Sequence, residues 1–201
     1  MTAEKKIEKR ILFDAFSKQQ EFISAAMSRK YSFIFYGGAV RGGKTMAILG
    51  FFIMLCELYP GSKFVVCRKD IEILKATTLK SFGEIYPRSK TVQFPKAHNG
   101  WEWIHKNGSV IKFFSENISR DPNLFRFRGL EYDAIAFDEM DITEATFWKS
   151  FERVGTWKMN ERKAALDAGE NIPPRMVLGT SNPQEGWVKR DIYDRHVDGS
   201  L

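Results

Sequence analysis

Short runs of apolar, β-branched and aromatic residues alternate along this chain with longer stretches whose apolar positions recur every three or four residues. Ser32-Phe33-Ile34-Phe35-Tyr36, Lys63-Phe64-Val65-Val66-Cys67, Ala134-Ile135-Ala136-Phe137 and Met176-Val177-Leu178-Gly179 are too short for helices and predict strands, that of Ala134–Phe137 buried. Between them the 3.6-residue period predicts helices. One covers Ile11 to Met27, with Ile11, Phe16, Phe22, Ile23 and Ala26 as its stripe. Another runs to about Leu58 through Met46-Ala47-Ile48-Leu49-Gly50-Phe51-Phe52-Ile53-Met54-Leu55, apolar on every side and therefore buried. Residues 71–86 form a third, stopped by Pro87, and residues of about 142–154 a fourth. Trp101–His105 and Ser109–Phe114 flank Asn107-Gly108, which predicts a hairpin with a two-residue turn. Residues 115–131 (with Arg120, Arg126 and Arg128) and the charged stretch 155–174 (with Gly169 and Pro173-Pro174) are expected to be irregular. Strands alternating with helices predict an α/β domain with a mostly parallel sheet flanked by helices, plus a β-hairpin insertion. Ligands in such sheets sit at the carboxyl ends of the strands.

The junction of the first strand and the buried helix carries the sharpest chemical signal. Gly37-Gly38-Ala39-Val40-Arg41-Gly42-Gly43-Lys44-Thr45 contains the full G-x-x-x-x-G-K-[ST] phosphate-loop pattern. Its glycines let backbone N–H groups turn inward as an anion nest, and the following helix aims its positive dipole end at the phosphates. Gly38, Ala39, Val40, Arg41, Gly42, Gly43, Lys44, Thr45 and Met46 are the expected nucleotide-binding positions. The Lys44 ammonium would reach the β- and γ-phosphates, and the Thr45 hydroxyl would ligate Mg²⁺. A glycine-rich turn that happens to contain Lys-Thr would lack the flanking strand and helix, and both are predicted here.

A second signal closes the strand Ala134–Phe137. Asp138 suits support of Mg²⁺, and Glu139, facing elsewhere at the strand end, could polarise a water for in-line attack on a γ-phosphate. Two acids at a helix start would also be favoured by the dipole alone. A glutamate placed to activate water points to hydrolysis rather than transfer to an acceptor.

Composition narrows the class. The chain has 201 residues, 43% of them hydrophobic and 28% charged, which is a globular and not a disordered balance. Lys plus Arg number 31 against 25 Asp plus Glu, a net charge of +6 that favours a polyanionic partner without proving one. Cys56 and Cys67 fall within apolar elements and are read as small core residues of a reducing compartment. His98, His105 and His196 form no ligand cluster, so a structural zinc site is not expected. Met1–Arg10 is too charged for a signal peptide, and the apolar run Met46–Cys56 falls short of a membrane span.

Together the motifs resemble the ATPase domain of the large terminases of tailed phages, the motors that package viral genomes. The resemblance runs from about residue 11 to 195. It rests on Phe16 with Ser17-Lys18-Gln19-Gln20-Glu21-Phe22, the phosphate loop with an arginine inside it, and Val66-Cys67-Arg68-Lys69. Asn107-Gly108-Ser109, Phe127-Arg128-Gly129-Leu130, Phe137-Asp138-Glu139 and Thr180-Ser181-Asn182-Pro183 follow in order. It implies a single P-loop ATPase domain over residues 1–201, with a flexible start at 1–10, of the additional-strand, catalytic-glutamate (RecA-like) type. It implies ATP and Mg²⁺ as cofactors, Asp138 and Thr45 as the metal-supporting pair, and Glu139 and Lys44 as catalytic groups. Gln19 resembles the adenine-reading glutamine, with Gln20 as the alternative and a plain polar helix face as the bland one. Arg41 is similar to the loop arginine that approaches the γ-phosphate, with a surface arginine distant from the phosphates as the alternative. Arg128 resembles an arginine sent into a neighbouring subunit's site; Arg126 competes for that role, and either could instead contact DNA or solvent. Thr180, Ser181 and Asn182 resemble the coupling motif, and could equally be a capping loop. The implied partners are double-stranded DNA, further copies in a ring, a capsid portal protein and a small terminase subunit, in the host cytoplasm and with no membrane. The family carries a nuclease domain after its ATPase domain, and its ATPase lid also extends further. No clustered acids remain before Leu201, so DNA cleavage is not expected of this chain, and an incomplete lid is. Competing functions are a helicase-like DNA-dependent ATPase and an ATP-binding scaffold with little activity alone.

Overall fold

In a computed structural model, which describes residues 14–38, 42–86, 94–182 and 185–197, the apolar runs become strands of one six-stranded sheet. The strands are β1 (Phe33–Gly37), β2 (Lys63–Arg68), β3 (Glu102–Ile104), β4 (Val110–Ser115), β5 (Ala134–Asp138) and β6 (Val177–Ser181). Their order is β1-β6-β5-β2-β4-β3. Neighbours are parallel except β3, which returns antiparallel to β4 at one edge. Strand β6 therefore lies between the strand that feeds the phosphate loop and the strand that ends in Asp138. That is the additional-strand arrangement of a RecA-like P-loop fold.

The helices are α1 (Ser17–Met27), α2 (Lys44–Leu58), α3 (Ile71–Ala76), α4 (Thr78–Ile85), α5 (Phe125–Arg128), α6 (Glu144–Phe151), α7 (Met159–Asp167) and α8 (Asp194–Val197). Alternate residues of the central strands feed two cores. Phe64, Val66, Ala134, Ala136 and Leu178 face α2, whose Ala47, Ile48, Phe51, Phe52 and Leu55 are fully buried. Val65, Cys67, Ile135, Phe137 and Val177 face the other way, toward Phe127, Phe147, Val188 and Ile192. Burial on both faces is why these strands read as unbroken apolar runs.

Several elements differ from the sequence reading. Helix α1 starts at Ser17; Phe16 is extended (φ −65°, ψ 159°) and 75% exposed, so it does not join the apolar stripe. Residue 11 lies outside the described residues. The 71–86 helix is broken at Thr77 (φ −116°, ψ −68°), with no glycine or proline to announce it. The hairpin turn has three residues, not two: His105 N–H bonds to the Ser109 carbonyl at 2.8 Å, and Gly108 takes a left-handed φ of 82°. Asn107 is committed elsewhere, donating to the Cys56 carbonyl at the end of α2 at 2.7 Å and accepting from Ser109 N at 3.1 Å. The stretch 155–174 contains α7, which buries none of its residues and so leaves no apolar period to read. Within 115–131, α5 is capped by Asp121, whose carboxylate accepts from the Phe125 and Arg126 amides, each at 2.8 Å.

Candidate active site

In parallel register, Gly37, Ser181, Asp138 and Arg68 end their strands on one rim of the sheet. The chain leaves β1 through Gly37 and Gly38 and re-enters helix at Gly43, the N-cap of α2, whose φ of 67° is left-handed. A Cβ on Gly43 would stand 2.4 Å from Gln19 Nε2, so side-chain-free backbone is needed there twice over. Gly42 is exposed between them. Ala39, Val40 and Arg41 lie outside the described residues.

Lys44 opens α2 and is 7% exposed. Its Nζ donates to the Gly38 carbonyl at 3.0 Å and to Asn182 Oδ1 at 2.8 Å, so the ammonium joins the loop to the segment after β6. Thr45 Oγ1 donates to Asp138 Oδ1 at 2.6 Å. Met46, next along the helix, is half-buried against the α2-side core. Asp138 is 1% exposed; Thr78 Oγ1, at the start of α4, donates to its Oδ2, and Arg68 Nη1 lies 3.9 Å away.

Glu139 turns sharply out of the strand with a left-handed φ of 68°. Its amide donates to Thr180 Oγ1 at 3.1 Å, and the next amide, of Met140, donates to the Thr180 carbonyl at 2.8 Å. Thr180 thus fixes the backbone on which Glu139 stands. Gly179 makes room for this: a Cβ there would come within 2.1 Å of Met140 Sδ. Further along, Trp187 Nε1 donates to the Ile142 carbonyl at 2.9 Å, and the buried Glu116 carboxylate accepts from Thr143 N at 2.8 Å. Ser181 Oγ donates to the Asn182 carbonyl at 2.9 Å. Asp141, beside this segment, has its carboxyl pushed up by burial, with Arg68 and Lys69 opposing.

Gln19 is 2% exposed and braces the loop from behind. Its Nε2 donates to the Gly43 carbonyl and its Oε1 accepts from Phe16 N, each at 2.9 Å. Each end keeps one further hydrogen-bonding position. Gln20 is exposed and donates to the Ala15 carbonyl at 2.6 Å. A cleft of about 500 Å³ opens beside the loop, lined by Phe16, Lys18, Tyr36, Gly38, Gly42 and Lys44. Arg128 and Arg126 are exposed on α5, their guanidiniums over the Phe125 ring (5.4 Å) and the Phe114 ring (4.9 Å). Neither forms an ion pair with a rim carboxylate among the described residues.

The donor set fits Mg²⁺. Thr45 Oγ1 and Asp138 Oδ1 are hard oxygens already in contact. Among the described residues no cluster of three or more His, Cys, Asp or Glu gathers. A cation here would draw its remaining ligands from water and phosphate oxygens, as Mg²⁺ characteristically does. The sequence motifs do not single out a role for Arg68 or Thr78. Arg68 carries a signal, since it ends a strand of the same parallel sheet; Thr78 carries none.

No family model matches the chain, and no curated protein does either. Solved structures do. The large terminase of a thermophilic bacteriophage superposes with a TM-score of 0.65 at 16% identity, over 90% of this chain and 43% of that one. The fold is one shared with phage large terminases. The same phage's large terminase in complex with ATP-gamma-S matches with a TM-score of 0.60 at 18% identity, over 90% of this chain and 42% of that one. The HK97 bacteriophage large terminase gives 0.56 at 16% identity, over 94% and 37%. This chain spans less than half the length of each of these large terminases. Among its described residues no helix is long and apolar enough to cross a membrane.

Proposed function

We propose that this chain is the ATP-hydrolysing part of a terminase-type motor that drives double-stranded DNA into a procapsid. The observation that carries the reading is the meeting, on one rim, of Lys44 with Asn182 and of Thr45 with Asp138, one residue before Glu139. The sequence resemblance, the shared fold and the ATP-gamma-S complex of the thermophilic phage's terminase point the same way.

In this reading the backbone from Gly38 to Met46, including Ala39, Val40, Arg41, Gly42 and Gly43, cradles the phosphates. Lys44 exchanges its protein acceptors for phosphate oxygens. Thr45 and Asp138 would hold Mg²⁺, which would supply positive charge to offset that of the phosphates. Glu139 accepts a proton from a water as its oxygen attacks phosphorus in line; the bond to the ADP oxygen breaks, and phosphate and ADP are released. Arg41, and Arg128 from a neighbouring copy in a ring, add positive charge where it offsets the phosphoryl oxygens. Gln19 reads the adenine edge with its remaining amide positions, and the cleft beside Phe16 receives the base. Coupling follows from Lys44: a phosphate that draws its ammonium away releases Asn182, and Thr180 and Ser181 connect that segment to the backbone of Glu139. DNA is gripped by its phosphate backbone, since a packaging motor must accept any sequence. The portal protein, the small terminase subunit and the host cytoplasm complete the setting.

Glu139→Gln tests the chemical step. Nucleotide affinity is expected to stay within a few-fold of wild type while single-turnover hydrolysis falls by about 10²- to 10⁴-fold, the usual range for removal of a general base. Undiminished hydrolysis in this variant would remove Glu139 from its role.

A further inference from the structure

Asp138 has a companion that the metal reading leaves unexplained. Its carboxylate is almost fully buried, and two hydroxyls, from Thr45 and Thr78, hydrogen-bond to it. Hydroxyls satisfy a carboxylate's lone pairs but do not neutralise it, and an uncompensated buried charge is costly. Among the described residues the cation paired with it is Arg68. Strands β2 and β5 are adjacent, with Cys67 opposite Phe137, so the next residues, Arg68 and Asp138, leave the sheet side by side. The Arg68 side chain is 12% exposed, and its Nη1 stands 3.9 Å from Asp138 Oδ2.

The contact is long and single, unlike the short paired bonds of a guanidinium committed to a carboxylate. Nη1 instead donates to Thr77 Oγ1. Charge is therefore supplied to Asp138 without occupying its oxygens. The break between α3 and α4 builds this corner: Thr77 leaves helical geometry there (φ −116°, ψ −68°). Its hydroxyl holds the guanidinium, while that of Thr78 holds the carboxylate.

We propose that Arg68 is a positioning residue for the metal carboxylate. It lends Asp138 the positive charge that Mg²⁺ otherwise brings, shares the carboxylate with the ion, and so sets how much Mg²⁺ the site requires. This inference rests on the nucleotide reading above. An incoming cation at Thr45 and Asp138 meets the field of the guanidinium, and removing that field tightens metal binding.

The test is a Mg²⁺ titration of the whole chain at saturating ADP, read as the rise in thermal midpoint. Arg68→Gln is expected to lower the Mg²⁺ concentration giving half the rise by about three- to tenfold, a modest screened charge effect. It should also lower the midpoint in EDTA without nucleotide. Arg68→Lys, which keeps the charge, should stay within about twofold of wild type. A wild-type rise with the half-point unmoved, or raised, in Arg68→Gln overturns the role of Arg68 alone. No ADP-dependent rise in the wild-type chain overturns the nucleotide reading, and this inference with it. If Arg68→Gln does not fold alone, it is combined with Asp138→Asn, which removes the buried charge that Arg68 serves. A folded double variant supports action through Asp138, and a double variant that fails to fold while Asp138→Asn alone folds overturns it.

Discussion

Gly43 and Glu139 hold left-handed backbone at φ of 67° and 68°, one entering the helix that presents Lys44 and the other leaving the strand that presents Asp138. For glycine this conformation is free of Cβ strain; for glutamate it is not, and the cost is met by the two bonds from the amides of residues 139 and 140 to Thr180. Gly43 has a second constraint, because Gln19 Nε2 occupies the space of a side chain. Gly43→Ala is therefore expected to destabilise the fold by about 1–3 kcal/mol in urea unfolding, combining strain with overpacking. Part of that loss should return in the Gln19→Ala background, where the obstructing amide is gone. Equal losses in both backgrounds would show that backbone strain alone is responsible.

Among the elements, α2 and α7 are opposites. Helix α2 is apolar on all sides and lies in the core, whereas α7 buries none of its residues and is tethered by Arg162, whose Nε lies 3.4 Å from Asp133. Local stability follows buried contact, so amide hydrogens of α7 should exchange by local opening within a few kcal/mol, while those of mid-α2 exchange only near global unfolding. Protection of α7 equal to that of α2 in native-state exchange would contradict this. The same contrast explains what is legible in the sequence. The Met46–Leu55 run and the runs of β2, β5 and β6 are legible because burial leaves a pattern; β1, at the sheet edge, is half-buried along its length and is legible from its aromatic and β-branched content. Helix α7 and the Thr77 break leave none, because one is decided by propensity in solvent and the other by tertiary hydrogen bonds. At the site, Gly38–Thr45, Asp138-Glu139 and Thr180–Asn182 stand out as contiguous motifs. The convergence of Arg68 and Thr78 on Asp138 depends on strand order and a helix break, which no local window contains.

On the scale of the molecule, the two ends of the sheet differ electrostatically. Opposite the phosphate loop, Asp133 is fully buried before β5, accepting from Lys63 N at 2.9 Å with Arg162 beside it. Burial pushes its carboxyl above the usual carboxylate range, outweighing the Lys63 amide, Arg162 and Arg175. A raised folded value means that its contribution to stability is full below the unfolded carboxylate range and is lost as pH rises through the folded one. Asp133→Asn should therefore gain on wild type as pH rises from about 4 to 8, by up to a few degrees in thermal midpoint for a chain of this size. A gap between the two chains that is flat across that range would show that Asp133 does not titrate with folding.

Everything proposed for the rim depends on Lys44 meeting phosphate where it now meets Gly38 and Asn182. Calorimetric titration of the chain with Mg²⁺ and ATP-gamma-S tests this most directly. Saturable one-to-one binding is expected, weakened by about 100-fold or more in Lys44→Ala, the loss of a charge-assisted contact in a site built around it. No binding heat in the folded wild-type chain, or the same affinity without Lys44, would contradict the account.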